Sequence, residues 1–142
     1  DTASPDRTLT ETAMRLDAML GTPGATWTLV ATHVPVRSSR DFYDAEPVRT
    51  ALLPVLKKHN VDAYLAGHDH NAQVISVDGE PLHVVIGTGG KYGQDIKPGH
   101  EPALLWSGTD QGFAWLKVTP AHITFQFINI RNEAVFEHKL TR

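Results

Sequence analysis

The chemistry of this chain is concentrated in three histidines. His68 and His70 flank Asp69 in the run Val61-Asp62-Ala63-Tyr64-Leu65-Ala66-Gly67-His68-Asp69-His70-Asn71, where an apolar stretch ends at a glycine. Residues two apart in an extended chain point to the same side. Both imidazoles can therefore reach one cleft while Asp69 turns away from it. Neutral imidazole is the commonest protein ligand for zinc, iron and similar ions, so the pair reads as a metal site at the mouth of a sheet. The competing reading is two surface-loop histidines with no ligand. A second segment of the same form argues against it: Trp27-Thr28-Leu29-Val30-Ala31 is apolar and strand-prone, and Thr32-His33-Val34-Pro35 follows it. Pro35 disfavours helix at Val34 and stiffens the turn.

The elements that must position these residues can be read from apolar spacing. Leu9, Ala13, Leu16 and Leu20 share one face of a predicted helix over residues 8–20, ended by Gly21-Thr22-Pro23-Gly24. Asp6 or Thr8 can cap it. Strands are predicted at 27–31 and 61–66. Between them lies a helix over 47–58, with Pro47 in its first turn, Lys57, Lys58 and His59 at its negative end, and Pro54 placed to kink it. This is a βαβ pattern, and the fold class is α/β. Ligands of open α/β sheets gather beyond the carboxyl ends of the strands, which is where His33, His68 and His70 fall. Downstream the period turns strand-like at 72–77, 82–86, 112–118, 122–128 and 134–140, with turn signals at Asp78-Gly79, Thr119-Pro120 and Arg131-Asn132. Residues 87–111 are rich in glycine and read as a long loop near the metal edge.

Composition narrows the function. The chain has 142 residues, 41% hydrophobic and 20% charged, with a formal net charge of −3. That suits a soluble globular domain or a large part of one. No Lys/Arg-rich run is present, which excludes nucleic-acid binding by phosphate neutralisation. No apolar stretch is long enough to span a membrane. The chain lacks cysteine, so disulfides and thiolate metal sites are excluded.

Thr32-His33-Val34-Pro35 followed by Gly67-His68-Asp69-His70-Asn71 resembles the last two motifs of calcineurin-like metallophosphoesterases. The small purple, or tartrate-resistant, acid phosphatases are the nearest match, with Gly-His-Tyr-Pro and then Gly-His-Asp-His-Asn. The step of 35 residues from His33 to His68 is similar too. So are Leu53-Pro54-Val55-Leu56, Ala63-Tyr64-Leu65, Val85-Ile86-Gly87-Thr88-Gly89-Gly90 and Asp110-Gln111-Gly112-Phe113-Ala114. The resemblance covers nearly the whole chain but only the family's C-terminal half. The family's N-terminal motifs, an Asp, Gly-Asp-x-x-Tyr and Gly-Asn-His, do not occur. Residues 1–142 are therefore expected to be the C-terminal portion of a single metallophosphoesterase domain, half of a four-layer α/β/β/α sandwich with mixed sheets, and its partner would be the missing N-terminal half.

The resemblance implies a binuclear-metal phosphomonoesterase hydrolysing phosphate monoesters by metal-activated hydroxide. Two ions, iron with iron, zinc or manganese, would neutralise a substrate dianion that otherwise repels an anionic nucleophile. His33 and His68 would bind the divalent ion and His70 the ferric ion, with the other ligands supplied by the absent half. Two rivals stand beside this: a catalytically inactive phosphatase-like scaffold, and a related phosphodiesterase or nucleotidase. The family favours a secreted, lysosomal or periplasmic location.

The mammalian-type enzymes carry a histidine nine positions after the first motif histidine, thought to bind substrate or assist the leaving group; here that position is Phe42. The family's Gly and Tyr of the first motif are Thr32 and Val34. Arg37, Arg40 and Tyr43 in the following loop are candidate phosphate contacts, since guanidinium matches the phosphate fork. An ordinary solvated loop is an equal alternative. Lys91, after the glycine-rich turn 87–90, is a fourth candidate. Asp69 can orient a histidine ring or cap a turn, the turn role being favoured. His59, His83, His100, His122 and His138 read as structural or surface residues, and Trp27, Trp106 and Trp115 as core or cleft-wall aromatics.

Overall fold

Apolar residues at three-to-four spacing form helix α1, Pro5–Leu20, whose Ala13, Leu16 and Leu20 pack inward. It starts at Pro5 rather than Thr8, proline being suited to a first turn. The computed structural model describes residues 5–22, 24–40, 45–91, 93, 96–97 and 103–142, the side chains of residues 5–7 excepted. Asp17 receives Lys58 Nζ at 2.7 Å and contacts His59 Nε2 at 2.6 Å, which ties α1 to the end of the second helix. That helix, α2 (Glu46–Lys58), remains one element across Pro54 and buries Leu52 and Leu56. Asn60, at φ +48°, ends it in the left-handed conformation that asparagine tolerates.

Five strands form a mixed sheet in the order β1-β2-β4-β3-β5: β1 (Leu29–Ala31), β2 (Ala63–Ala66), β3 (Ala72–Ile75), β4 (Leu82–Ile86) and β5 (Leu104–Gly108). β1, β2 and β4 run parallel, and β3 is antiparallel to β4 and β5. A three-stranded antiparallel meander follows: β6 (Gly112–Val118), β7 (His122–Asn129) and β8 (Ala134–Thr141). The sheets pack face to face through Ala63, Ala72, Val74, Leu82 and Val84 on one side and Ile123, Phe125 and Phe127 on the other. Each large apolar side chain buried there contributes about 1.5–3 kcal/mol. The opposite face of the larger sheet packs on α1 and α2 through Val30, Tyr64 and Ala66. The described layers are therefore α/β/β, in keeping with the α/β sandwich expected from the sequence.

Three local expectations are corrected. Strand β5 lies inside the stretch read as loop. It is an edge strand, with Leu105 exposed, while Trp106 turns inward to stack on Phe136 at 4.6 Å and meet Phe127 at 4.7 Å. Asp78-Gly79 suggests a tight hairpin; the turn forms there, but the connection is longer than a tight hairpin. Residues 76–81 connect the strands, and a β-turn from Val77 to Glu80 places Gly79 at φ +74°. Trp115 is neither core nor cleft wall, because β6 presents it to solvent at 45% exposure.

Candidate functional site

The register of β1 on β2 decides where the first histidine falls. Leu29 pairs with Ala63 and Ala31 with Leu65, and the ladder continues past the strand ends. Thr32 N–H donates to Leu65 O at 3.0 Å and Gly67 N–H to His33 O at 3.0 Å. His33 thus stands opposite Gly67, and the 35-residue spacing places His68 immediately beside it. Their rings meet edge to face, with centroids 5.1 Å apart and His33 Nε2 3.2 Å from His68 Nδ1.

The segment after β2 is not a straight strand. His68 has φ +64°, a left-handed conformation for which histidine is enriched. The two motif histidines share a cleft all the same. His33, Arg40, Gly67, His68, His70, Gly87, Gly89, Gly90 and Lys91 line an open cleft of about 600 Å³ at the carboxyl ends of β1, β2 and β4.

Polar residues anchor this edge. Tyr64 hydroxyl donates to Val34 O at 2.8 Å and lies 2.6 Å from Thr32 Oγ1, so Thr32 holds the turn that carries His33. Burial raises the Tyr64 phenol above its usual range, which keeps it a donor. The connection from β2 to β3 crosses the end of β4, because β4 lies between those strands. At the crossing, a Cβ on Gly87 would collide with the Asp69 carbonyl, and Gly87 N–H donates to Asn71 O at 3.0 Å. The absence of a side chain at Gly87 is what lets the histidine loop seat there.

Among the described residues, the Asp69 side chain neither holds a histidine ring nor caps a turn. It is fully buried; Ser38 Oγ donates to its Oδ2 at 2.5 Å and Arg40 Nη1 to its Oδ1 at 3.0 Å. Gln73 Nε2 donates to Ser38 Oγ and to Asn71 Oδ1, and Gln73 Oε1 accepts from Ser39 N–H. This network escaped the sequence reading. Its only signal was a set of short polar residues beside a strand that is apolar at every other position.

The predicted phosphate contacts separate. Arg40 and Lys91 line the cleft with the histidines. Arg37 lies elsewhere: its Nε and Nη2 donate to Glu80 at 2.6 and 2.7 Å, and Glu80 also meets His83 Nε2 at 3.1 Å. Arg37 is the main reason that the Glu80 carboxyl lies below the usual carboxylate range. Tyr43, Phe42 and His100 fall outside the described residues. Among the described residues, His59, His83, His122 and His138 do not line the cleft.

His33 Nε2 and His68 Nδ1 lie at hydrogen-bonding distance from each other, one ring donating to the other, and their spacing is also compatible with a shared metal. Two imidazoles on one tetrahedral ion at about 2.0–2.1 Å stand roughly 3.4 Å apart, close to the 3.2 Å observed. Nitrogen donors of this kind suit zinc and iron. The donor count is short, since among the described residues no three His, Cys, Asp or Glu side chains group as a metal site. The residues present fit part of a coordination sphere.

Residues 3–72 match the calcineurin-like phosphoesterase family, and residues 80–138 match the iron/zinc purple acid phosphatase-like protein C family. The chain belongs to the calcineurin-like phosphoesterases. Pig tartrate-resistant acid phosphatase type 5 is 30% identical over 82% of this chain and 36% of its own length. The structure of purple acid phosphatase PPD1 from yellow lupin seeds superposes with a TM-score of 0.84 over 94% of the chain and 28% of its own, at 18% identity, and shows the fold. Plasmodium GAP50, described as the anchor in the inner membrane complex, superposes with a TM-score of 0.81 at 25% identity, over 92% of the chain and 41% of its own. The chain thus spans well under half the length of these relatives. Among the described residues, no helix is long and apolar enough to cross a membrane.

Proposed function

We propose that the whole protein is a phosphate monoester hydrolase of the purple acid phosphatase type, with His33 and His68 on one metal ion and His70 on a second. The 3.2 Å approach of His33 Nε2 to His68 Nδ1, in a cleft that His70 also lines, carries this reading. The remaining metal ligands come from residues outside this chain. When bound, two such ions neutralise phosphoryl charge and bring the pKa of a water toward about 7. The chain's own residues bind and orient the ester. Arg40 and Lys91 supply cationic donors for phosphate oxygens. Gly89 and Gly90, which face open space, leave room for the organic part of the ester. Phe42 has no proton to give a leaving alkoxide, so aryl phosphates, whose leaving group is already acidic, are preferred over alkyl phosphates.

Turnover of p-nitrophenyl phosphate by the full-length protein tests this. The wild type hydrolyses it, and His70→Ala falls to background while remaining folded. Unchanged turnover in His70→Ala overturns the assignment.

The likeness to GAP50 supports a second reading, a phosphatase-like scaffold without catalysis. A full-length protein that binds metal and hydrolyses neither p-nitrophenyl phosphate nor bis(p-nitrophenyl) phosphate would establish it. Hydrolysis of the diester alone would indicate a phosphodiesterase.

A further inference from the structure

The side chain between the two motif histidines is fully buried and carries a carboxylate. A buried carboxylate is costly unless charge and hydrogen bonds compensate it. Among the described residues, Arg40 is its one cationic partner, with Nη1 3.0 Å from Asp69 Oδ1. Ser38 Oγ fills the other carboxylate oxygen. We propose that Asp69 is a positioning residue that aims Arg40 into the histidine cleft, where the guanidinium takes a phosphate oxygen.

Three observations converge on this. Arg40 lines the cleft and keeps 28% of its side chain exposed, so it is held at one end and open at the other. Guanidinium has five donors, and the bond to Asp69 uses one of them. The backbone under Arg40 is fixed as well. Its N–H donates to Ser38 Oγ at 3.1 Å, and it forms an antiparallel bridge with Ile96. Ser38 therefore holds both the carboxylate and the main chain of the arginine it orients. An arginine free in solvent would lose side-chain entropy on gripping phosphate, whereas one already tethered has lost it beforehand. Because Asp69 lies between His68 and His70, one loop sets the place of both the metal-facing imidazoles and the phosphate clamp.

This rests on the reading of the cleft as a phosphate site. The test is a double-mutant cycle in the full-length protein, using Asp69→Asn, Arg40→Ala and the pair together. The readouts are the inhibition constant of inorganic phosphate against p-nitrophenyl phosphate, the phosphate dissociation constant by calorimetry, and metal content. Arg40→Ala should weaken phosphate binding by about tenfold to a hundredfold, the loss of a charged hydrogen bond. Asp69→Asn should weaken it several-fold with metal content unchanged, and add nothing in the Arg40→Ala background. If Asp69→Asn does not fold, Ser38→Ala, which frees the same carboxylate, should behave likewise. Additive losses, or an Asp69→Asn protein that binds phosphate as the wild type does, overturn the proposal. A wild type that binds phosphate through Arg40 but turns nothing over defeats the hydrolase reading and leaves the clamp standing. A wild type that binds no phosphate defeats both.

Discussion

Glu80 shows how one carboxylate can hold a site it never enters. Its two oxygens take Arg37 and one also meets His83, fastening the loop after β1 to the β3–β4 hairpin. Both side chains of the ion pair are largely buried, so removing one partner leaves an uncompensated charge. Glu80→Gln should destabilise the fold by about 3 kcal/mol, measured by denaturant unfolding at neutral pH. The sign of the pH effect follows from the lowered carboxyl pKa. A carboxylate depressed in the folded state adds stability above its unfolded pKa and loses it as pH falls through the folded value. The Glu80→Gln penalty should therefore shrink under acid, from about pH 4.5 downward; a penalty that is flat with pH would contradict the pairing. The three histidines were legible because imidazole after an apolar run is a chemical signal. Arg37 and Asp69 were not, because nothing local to either residue distinguishes a cleft-facing charge from one that finds a buried partner 43 or 29 residues away.

At the scale of elements, the decisive fact is the crossing of β4 by the β2–β3 connection. Strand order places the histidine loop directly over Gly87. Gly87→Ala must push the Asp69 carbonyl aside and should cost about 1–3 kcal/mol or more, with Gly89→Ala, which meets open space, within about 0.5 kcal/mol of wild type. Equal stabilities would contradict a tight crossing at Gly87. Periodicity located nine of the ten elements among the described residues, since each long segment carries its own apolar rhythm. It missed β5, whose four-residue apolar signal is masked by flanking prolines and glycines and whose pairing with β3 is non-local. Strand order could not be read either. Putting β4 between β2 and β3 depends on which faces meet in three dimensions; a glycine-rich turn at 87–90 allows backbones to pass closely, but its spacing does not say that the backbone passing Gly87 is that of Asp69.

For the whole molecule, two sheets and a helical layer bring the ends of three parallel strands to one edge, and His33, His68 and His70 line the cleft there. The smaller sheet carries exposed apolar side chains, Phe113 at 54% exposure and Trp115 on β6 and Val135 on β8. The chain covers 36% of the length of the pig relative. The decisive measurement is the metal count of the full-length protein, by plasma mass spectrometry after exhaustive dialysis. The wild type should carry two ions per chain, and His33→Ala with His68→Ala should carry one. His70→Ala should also carry no more than one. Full metal content in these folded variants would contradict the claim that the three imidazoles bind metal.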